Sequence, residues 1–421
     1  MKKTILRSLA IVAISVIGVE ASSVKFYTDD KGQVFTTAAD GRVELKQEET
    51  PLFSKSSKLE FSGTHYFGYT YKDKKNLSST DANAAVAGSS QMPQDSTGNF
   101  EMRRNYVQVK AHLLENPKSY FRVTLDATYS SGNADYSDIF AKYAYLYLDE
   151  VLPYTGVEIG MAHRPWIDYE EHQGWWMRSI SKVFIEANEA GHLTNSADLG
   201  FNFKTKMDYF TSEVGIFNGE GYHGKNGTND ENAIGSGNSV EWRFTGAFLG
   251  NGKTKRKPTK ESYFDASFYG QYNMDNSANE VIVNGVKKAY DYTILGLHTV
   301  YNTPNFLLAA QYIQADNDGA DRGLGTSQFN GKGYSINSTL RFGSKKEFSV
   351  VGRYDSWESE NDVSKVKNRT HSAIYGLAWQ QNKNLKWLLS GQSYRASDNR
   401  NYKGEATQDW DAAMITAEVH W

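Results

Sequence analysis

The sequence predicts an all-β protein, a transmembrane antiparallel β-barrel of about sixteen strands with one long loop folded into its lumen. Apolar and polar residues alternate with a period of two in about sixteen segments, mostly about 9 to 14 residues long. A tilted strand needs ~9–11 residues to cross a bilayer, whereas strands of soluble sandwiches have ~5–6. Because a bilayer supplies no water to unpaired backbone groups, a sheet inside it has to close into a ring.

The N-terminus has the pattern of a secretory signal peptide, residues 1–21. Three basic residues precede an apolar run from Leu9 to Val19, and Ala21 suits cleavage by a signal peptidase. Residues 22–56 are polar, and we expect an extension outside the membrane with room for one small hairpin. The strand pattern then occupies residues 57–421, which we assign to the barrel.

The composition excludes several kinds of protein. The chain has 46 Lys and Arg against 49 Asp and Glu, so no excess charge favours nucleic acid as a partner. It has no cysteine, which excludes disulfides and thiolate metal sites. "GEGYHG" matches a glycine-rich nucleotide pattern, but a loop follows it instead of the helix that would hold phosphate. No catalytic or zinc-ligand spacing occurs, so we expect neither an enzyme nor a cofactor or metal.

The polar strand faces predict the wall of a water-filled pore. In "FRVTLDA", Phe121, Val123 and Leu125 share one face, and Arg122 and Thr124 share the other. The basic residues predicted to point inward are Lys110, Arg122, Lys204, Arg243, Arg341, Arg353 and Lys386. Acidic residues in the same register are Asp126, Glu213, Glu241, Asp265 and Asp355. The predicted interior therefore carries mixed charge.

One long stretch, "RPWIDYEEHQGWWMRSISKVFIEANEAGH" (residues 164–192), lacks strand periodicity. Residues 178–190 look helical. We expect this stretch to fold into the lumen and constrict it, where its residues would select solutes; the alternative is a lid on the outer surface. The charged residues assigned to the constriction are Arg164, Asp168, Glu170, Glu171, Arg178, Lys182 and Glu186. Between Pro165 and His192, five acidic residues outnumber two basic ones, which opposes an anion trap.

The C-terminal segment "DAAMITAEVHW" alternates up to its last residue. A complete strand at a chain end has to be held on both sides, so we expect the last strand to pair with the first. Trp421, Val419 and Ala417 also match the C-terminal signal that the barrel assembly machinery of Gram-negative outer membranes recognises. This motif predicts an outer-membrane location, with lipid around the barrel.

Three stretches resemble the phosphate-selective porin family of O and P type: "FEMRRNYVQVKAHL", "KYAYLYLDEV…VEIGMAHRPW" and "ADLGFNF…SEVGIFNGEGY". The shared features are an Arg-Arg pair entering an early strand, a Gly-rich strand before an "RP" step, and an "FNG" strand end. The resemblance covers roughly residues 98–223. It implies a sixteen-stranded barrel, commonly a homotrimer, with a loop folded into the pore.

These patterns predict a porin for the passive diffusion of small polar solutes and ions. Two alternatives stay open: a phosphate- or anion-selective porin, and a closed barrel whose loops bind a partner as an adhesin or receptor. The loops available for the second alternative are residues 218–238, 274–288 and 316–332.

Overall fold

The computed structural model describes the chain in separate ranges. These are residues 27–29, 33–35, 37, 39–44, 58–75, 96–128, 138–222, 238–252, 256–283, 286–318, 330–360, 365–397 and 407–421. The chain divides into two compact units, Met1–Lys55 and Ser56–Trp421. The predicted signal peptide lies outside the described residues, as does most of two loops considered as binding surfaces, 218–238 and 316–332. The third predicted loop, 274–288, is wrong, because residues 274–283 and 286–288 continue two paired strands.

The first unit contains a small antiparallel sheet. Its strands are β1 (Tyr27–Thr28), β2 (Val34–Phe35) and β3 (Val43–Glu44), in the order β2-β1-β3. The guanidinium of Arg42 lies 3.5 Å from the centroid of the Phe35 ring, a cation–π contact that covers one face of the ring. The sequence predicted room for a hairpin here, and the structure adds a third strand.

The second unit is a closed antiparallel barrel of sixteen strands, β4 to β19, each bonded to its neighbours in sequence. The strands of the first half are β4 (Leu59–Lys74), β5 (Thr97–Ala111), β6 (Tyr120–Thr128), β7 (Asp138–Leu152), β8 (Thr155–His163), β9 (Ala197–Lys206), β10 (Phe210–Phe217) and β11 (Ser239–Leu249). Those of the second half are β12 (Tyr263–Val283), β13 (Val286–Asn302), β14 (Phe306–Asn317), β15 (Gly331–Phe342), β16 (Phe348–Glu360), β17 (Lys367–Gln380), β18 (Leu385–Ala396) and β19 (Trp410–His420). The predicted closed antiparallel barrel and its number of strands are confirmed.

The ring closes between its first and last strands, as the C-terminal pattern predicted. β19 pairs with β4 over eleven residue pairs, from Trp410↔Lys74 to His420↔Thr64. Beyond the ladder, Gly63 N–H donates to the Trp421 carbonyl at 3.0 Å, and Trp421 N–H donates back at 3.2 Å. Both edges of this sheet are therefore paired, and the described strands of the barrel leave no open edge.

The two faces of the barrel differ as the alternation predicted. Outward side chains are apolar and exposed, for example Leu377 at 54% and Leu389 at 60%. Inward side chains are largely polar and buried, for example Asn337, Ser372 and Gln392. Side chains of neighbouring residues point to opposite faces of a strand, so an alternating sequence gives one apolar and one polar surface.

Most connections are short at one end of the barrel and longer at the other; the exceptions are residues 250–262 at the short end and 284–285 at the other end. Residues 153–154, 207–209, 303–305 and 381–384 form tight turns at the short end. The longest described connection, residues 164–196, leaves the opposite end and joins β8 to β9.

The helix in this connection differs from the prediction. A seven-residue helix, α1 (Ile167–Gln173), buries Ile167, Glu170 and Glu171, which are spaced three and four residues apart. Residues 178–190 are not helical except for a single 3-10 turn at Phe184–Glu186, so the helix predicted there is wrong. Residues 183–187 are all buried, and a helix with one buried face does not bury five consecutive residues. In the part of the chain that the structure describes, no helix is long and apolar enough to cross a membrane.

Candidate functional site

The candidate site is built around residues 164–196, here called the inner segment. Its first residues are tied to β11. Arg164 donates from Nε to both carboxylate oxygens of Glu241, at 2.8 and 3.0 Å. Arg243 on the same strand donates from Nε to the carbonyl of Pro165 at 3.0 Å. Arg164 was predicted to line a constriction, and the structure places it at the N-terminal end of the inner segment, where it is bonded to β11.

The next residues pack on the inner faces of β12, β13 and β14. The indole of Trp166 stacks on Tyr269 of β12, with 3.7 Å between ring centroids, and contacts His298 of β13 edge-on at 5.0 Å. Tyr169 donates to the Asp265 carboxylate at 2.6 Å. Helix α1 is therefore fixed against this side of the ring by aromatic and polar contacts together.

The inner segment also reaches the opposite side of the ring. Arg103 of β5 donates to the carbonyls of Ser179 and Ile180, at 2.8 and 2.7 Å. Ser179 Oγ donates to Glu418 of β19 at 2.7 Å. In the strand order, β5 stands eight of sixteen positions from β13, which His298 belongs to. The inner segment therefore contacts diametrically opposite strands through side chains of their polar faces.

An apolar cluster holds the inner segment to one half of the barrel. Its members from the segment are Trp166, Ile167, Trp175, Met177, Ile180, Val183, Phe184, Ile185, Ala187, Ala190 and Leu193. Its members from the strands belong to β12–β14 and β16–β19: Tyr269, Tyr292, Ile294, Ile313, Ala315, Val351, Trp357, Ile374, Ala378, Leu388 and Met414. The Trp175-Trp176 pair joins this packing. Burying this much apolar surface stabilises one position of the segment, because tight packing tolerates few alternatives.

Two acidic residues of the inner segment are paired within it. Glu171 forms an ion pair with Arg178, and Glu186 accepts a hydrogen bond from Lys182 Nζ at 3.0 Å. Burial alone would raise the pKa of Glu186, but Lys182, Lys142, Arg178 and Arg104 outweigh it and hold the pKa at about 2. Both carboxylates are therefore largely compensated by local cations.

Glu170 differs from its neighbours. It is 1% exposed, and burial raises its pKa to about 7. It accepts hydrogen bonds from Trp166 Nε1 at 2.9 Å and from Gln311 Nε2. A carboxyl group in this environment is close to half protonated at neutral pH, so it carries less charge than the sequence suggests.

Two of the basic residues predicted on the pore wall are neutralised on the strands themselves. Arg243 forms an ion pair with Glu213 at 3.0 Å, and Arg353 forms one with Asp355 at 2.7 Å. Arg353 also donates to the carbonyl of Lys182 at 2.6 Å. These two arginines position the inner segment, and their assignment to a pore wall stays a prediction.

Of the other three predicted wall residues, Lys110 and Arg122 face each other across the β5–β6 ladder, and Arg341 lies apart on β15. Arg122 donates to Tyr145 at 3.2 Å and lies over the Tyr143 ring. Lys110 Nζ lies 5.0 Å from the ring centroid of Tyr120. Arg341 donates to the carbonyl of Thr303 in a short turn. Their spread over β5, β6 and β15 does not form a single ladder.

Two β-bulges add basic residues that period-two reasoning misses. On β5 the register shifts so that Tyr66 faces Arg104 and Phe67 faces Met102, leaving Arg103 as the extra residue. On β7 a second shift leaves Lys142 as the extra residue. A bulge re-aims side chains, so consecutive residues Arg103 and Arg104 both reach the interior. No residue type in the sequence marks these shifts.

Arg104 and Lys142 lie on tyrosine rings. Arg104 is 4.6 Å from the ring centroid of Tyr106 and 5.4 Å from that of Tyr66. Lys142 Nζ is 4.7 Å from the ring centroid of Tyr222 and 5.2 Å from that of Tyr106. Within the described part of the chain, neither side chain has a carboxylate within 4.0 Å. Both cations nevertheless interact electrostatically with Glu186, whose pKa they help to lower.

Comparison with known proteins bears on the fold. No protein-family model and no curated protein sequence matches the chain. Among solved structures, OprB of Pseudomonas putida aligns over 87% of this chain and 94% of its own, with 8% identity and a TM-score of 0.58.

Two further structures are similar to the same extent. An anion-selective porin from Comamonas acidovorans aligns over 86% of this chain and 99% of its own, with 12% identity and a TM-score of 0.56. A loop-deletion mutant of OmpT, an outer membrane protein of Vibrio cholerae, aligns over 86% and 99%, with 10% identity and a TM-score of 0.55. At these identities the similarity concerns the fold, which is the sixteen-stranded barrel of outer-membrane proteins.

Proposed function

We propose that this protein is a porin of a Gram-negative outer membrane that lets small polar solutes and ions diffuse passively. The observation that carries the proposal is the closed sixteen-stranded ring with apolar side chains outside and polar side chains inside. Such a ring satisfies its backbone in lipid and encloses a polar path. The outer-membrane fold of the similar structures supports the same location.

The inner segment is the proposed constriction. Its contacts with Arg103 on β5 and His298 on β13 support a course across the lumen, since these strands face each other. The apolar cluster packs the inner segment against β12–β14 and β16–β19.

The charges favour a weakly selective pore over a phosphate-specific one. Glu171 and Glu186 are paired, whereas Arg104 and Lys142 have no carboxylate partner in the described residues. This arrangement gives a modest preference for anions. Phosphate specificity would need several converging donors, and the cations Arg122, Arg243 and Arg341 lie apart and bond to other groups.

Reconstitution into a planar bilayer tests the proposal. The purified, refolded chain is expected to give stable conductance steps, with a reversal potential in a KCl gradient that shows weak anion preference. Chloride and phosphate salts of equal ionic strength should give similar anion permeability. A correctly folded barrel without steady conductance would contradict the porin and favour a plugged barrel that binds a partner.

We further propose that the chain assembles into a homotrimer. We also propose that the barrel assembly machinery recognises Trp421, Val419 and Ala417. Crosslinking of intact outer membranes should give a trimer band. A monomer band alone would contradict that part.

A further inference from the structure

A cavity of about 110 Å³, here called the side cavity, lies between helix α1 and the inner face of the barrel wall. It is lined by residues of β9 to β12, by the connection 250–262, and by Tyr169 and Gln173 of α1. None of the charged residues assigned to the constriction lines it. The side cavity is therefore formed by a different set of side chains from the proposed constriction.

Two cations and two carboxylates on β8 to β11 neutralise one another at one side of the side cavity. Lys204 Nζ lies 3.2 Å from the carboxylates of both Glu158 and Glu213. Arg243 lies 3.0 Å from Glu213. This group has no net charge, and its carboxylates are already paired, so it offers no counter-ion to a charged ligand.

The other side of the cavity is balanced in the same way. Arg256, from the connection 250–262, donates from Nη2 to Asp265 at 3.0 Å, and the Tyr169 hydroxyl donates to the same carboxylate at 2.6 Å. The remaining cation of the lining, Lys206, is exposed, so solvent screens its charge. The lining therefore gives little electrostatic attraction to an ion.

Two neutral groups of the lining have hydrogen-bonding capacity left over. Oε1 of Gln173 is buried and has no hydrogen-bond partner among the described residues. The Thr211 hydroxyl accepts from Arg243 Nη1 at 3.0 Å, which leaves its own proton for a second bond. A buried acceptor without a donor is rare in a folded protein and indicates a bound water or ligand.

These two groups favour a ligand with hydroxyls. A hydroxyl can donate to Gln173 and accept from Thr211, whereas an ionised carboxylate cannot donate and an ammonium group cannot accept. The volume limits the size of such a ligand. A cavity of about 150 Å³ holds benzene, so the side cavity admits a molecule of roughly six non-hydrogen atoms. Glycerol has this size, and a hexose is too large.

We propose that the side cavity binds a neutral three-carbon polyol. The bound polyol accepts from Thr211 on β10 and donates to Gln173 on α1, so it joins the inner segment to the wall through an additional contact. The site lies outside the proposed constriction, and the inference goes beyond passive diffusion. It does not depend on whether the barrel conducts.

Saturation-transfer NMR of the full chain tests this inference, in a detergent whose headgroup is neither a sugar nor a polyol. The probe is glycerol, compared with lactate and alanine, which are similar in size but charged. Ala247→Leu places a larger side chain in the lining, and Thr211→Val removes one hydroxyl from it. The matched control is Thr339→Val, which removes a buried hydroxyl from the inner face of β15, away from the side cavity. The heat-dependent gel mobility of each variant checks its folding.

The unmodified chain and Thr339→Val are expected to transfer saturation to glycerol with the same saturable concentration dependence. Ala247→Leu should abolish the transfer, and Thr211→Val should weaken binding on the order of fivefold, as expected for one neutral hydrogen bond. Three results would overturn the inference: transfer that stays linear with glycerol concentration, unchanged transfer in both lining variants, or stronger binding of lactate or alanine. Conductance separates it from the proposed function, because a chain that binds glycerol without conducting contradicts the porin alone.

A chain that conducts and gives no saturable transfer contradicts the polyol site alone.

Discussion

The indole ring of Trp166 stacks on the phenol ring of Tyr269 with 3.7 Å between centroids and 4° between planes. Trp166 begins the inner segment and Tyr269 lies on the inner face of β12. This stacking joins a connection to the wall of the ring. Both side chains belong to the apolar cluster, and each is at least 95% buried.

Replacing Trp166 with Ala should loosen the inner segment without opening the ring. Truncating a buried tryptophan costs about 3–5 kcal/mol, here confined to packing between segment and wall. We expect larger and noisier conductance steps in a planar bilayer, and faster proteolysis between residues 164 and 196. Trp387→Ala, on the outward face of β18, is the matched control and should keep the original conductance. Unchanged steps in Trp166→Ala would place the segment away from the path.

Arg104→Gln should reduce the preference for anions. The side chain has no carboxylate within 4.0 Å in the described residues and acts on Glu186 only from a greater distance, so its removal subtracts a charge that is only partly compensated. We expect the ratio of cation to anion permeability to rise about twofold at low salt, and less at high salt because of screening. The reversal potential in a KCl gradient measures this ratio. Lys345→Gln, in a short turn, removes the same charge and should leave the ratio unchanged.

Glu170→Gln and Glu171→Gln should differ, although both acidic residues were assigned to the constriction from the sequence. Glu171→Gln removes the partner of Arg178 and leaves that guanidinium uncompensated, so the reversal potential should move toward anions. Glu170→Gln replaces a buried carboxyl group that already carries reduced charge, so the reversal potential should stay constant. Equal shifts in both variants would show that burial does not suppress the charge of Glu170.

Glu170 should also make stability depend on pH. Its pKa is about 7 in the folded protein and 4.5 in the unfolded chain, so folding favours the protonated form. This contribution is fully present below pH 4.5 and is lost as the pH rises toward 7. The loss is about 3 kcal/mol from the difference between the two pKa values. Urea unfolding in lipid vesicles should show this fall between pH 4.5 and 7.5, and Glu170→Gln should lack it.

Gly63→Ala should impair closure of the barrel. A Cβ at this position would overlap the indole ring of Trp421, whose backbone is bonded to Gly63. We expect less of the heat-modifiable folded form on unheated gels. Adding Trp421→Ala should restore refolding in vitro, since it removes the overlap. If Trp421 is also an assembly signal, the double variant refolds in vitro but reaches the outer membrane poorly in cells.

The sequence by itself determined the strand content, the two faces of the barrel and its closure. These features depend on local alternation and strand length, which lipid and an enclosed interior impose on every strand alike. Leu125 and Thr124 thus lie on the expected faces, and the last strand pairs with the first. The predicted inward register of Arg243 and Arg353 agrees with their burial.

Only the tertiary structure decided the charges of the inner segment and the shape of its backbone. Five consecutive buried residues, 183–187, override the helical pattern because neighbours enclose the chain on every side. Burial and pairing set the charge of Glu170 and Glu171. Gln311, which donates to Glu170, lies on a distant strand, whereas Arg178 reaches Glu171 because the inner segment folds back on itself. The bulges at Arg103 and Lys142 depend on the register of neighbouring strands, which is a property of the assembled sheet.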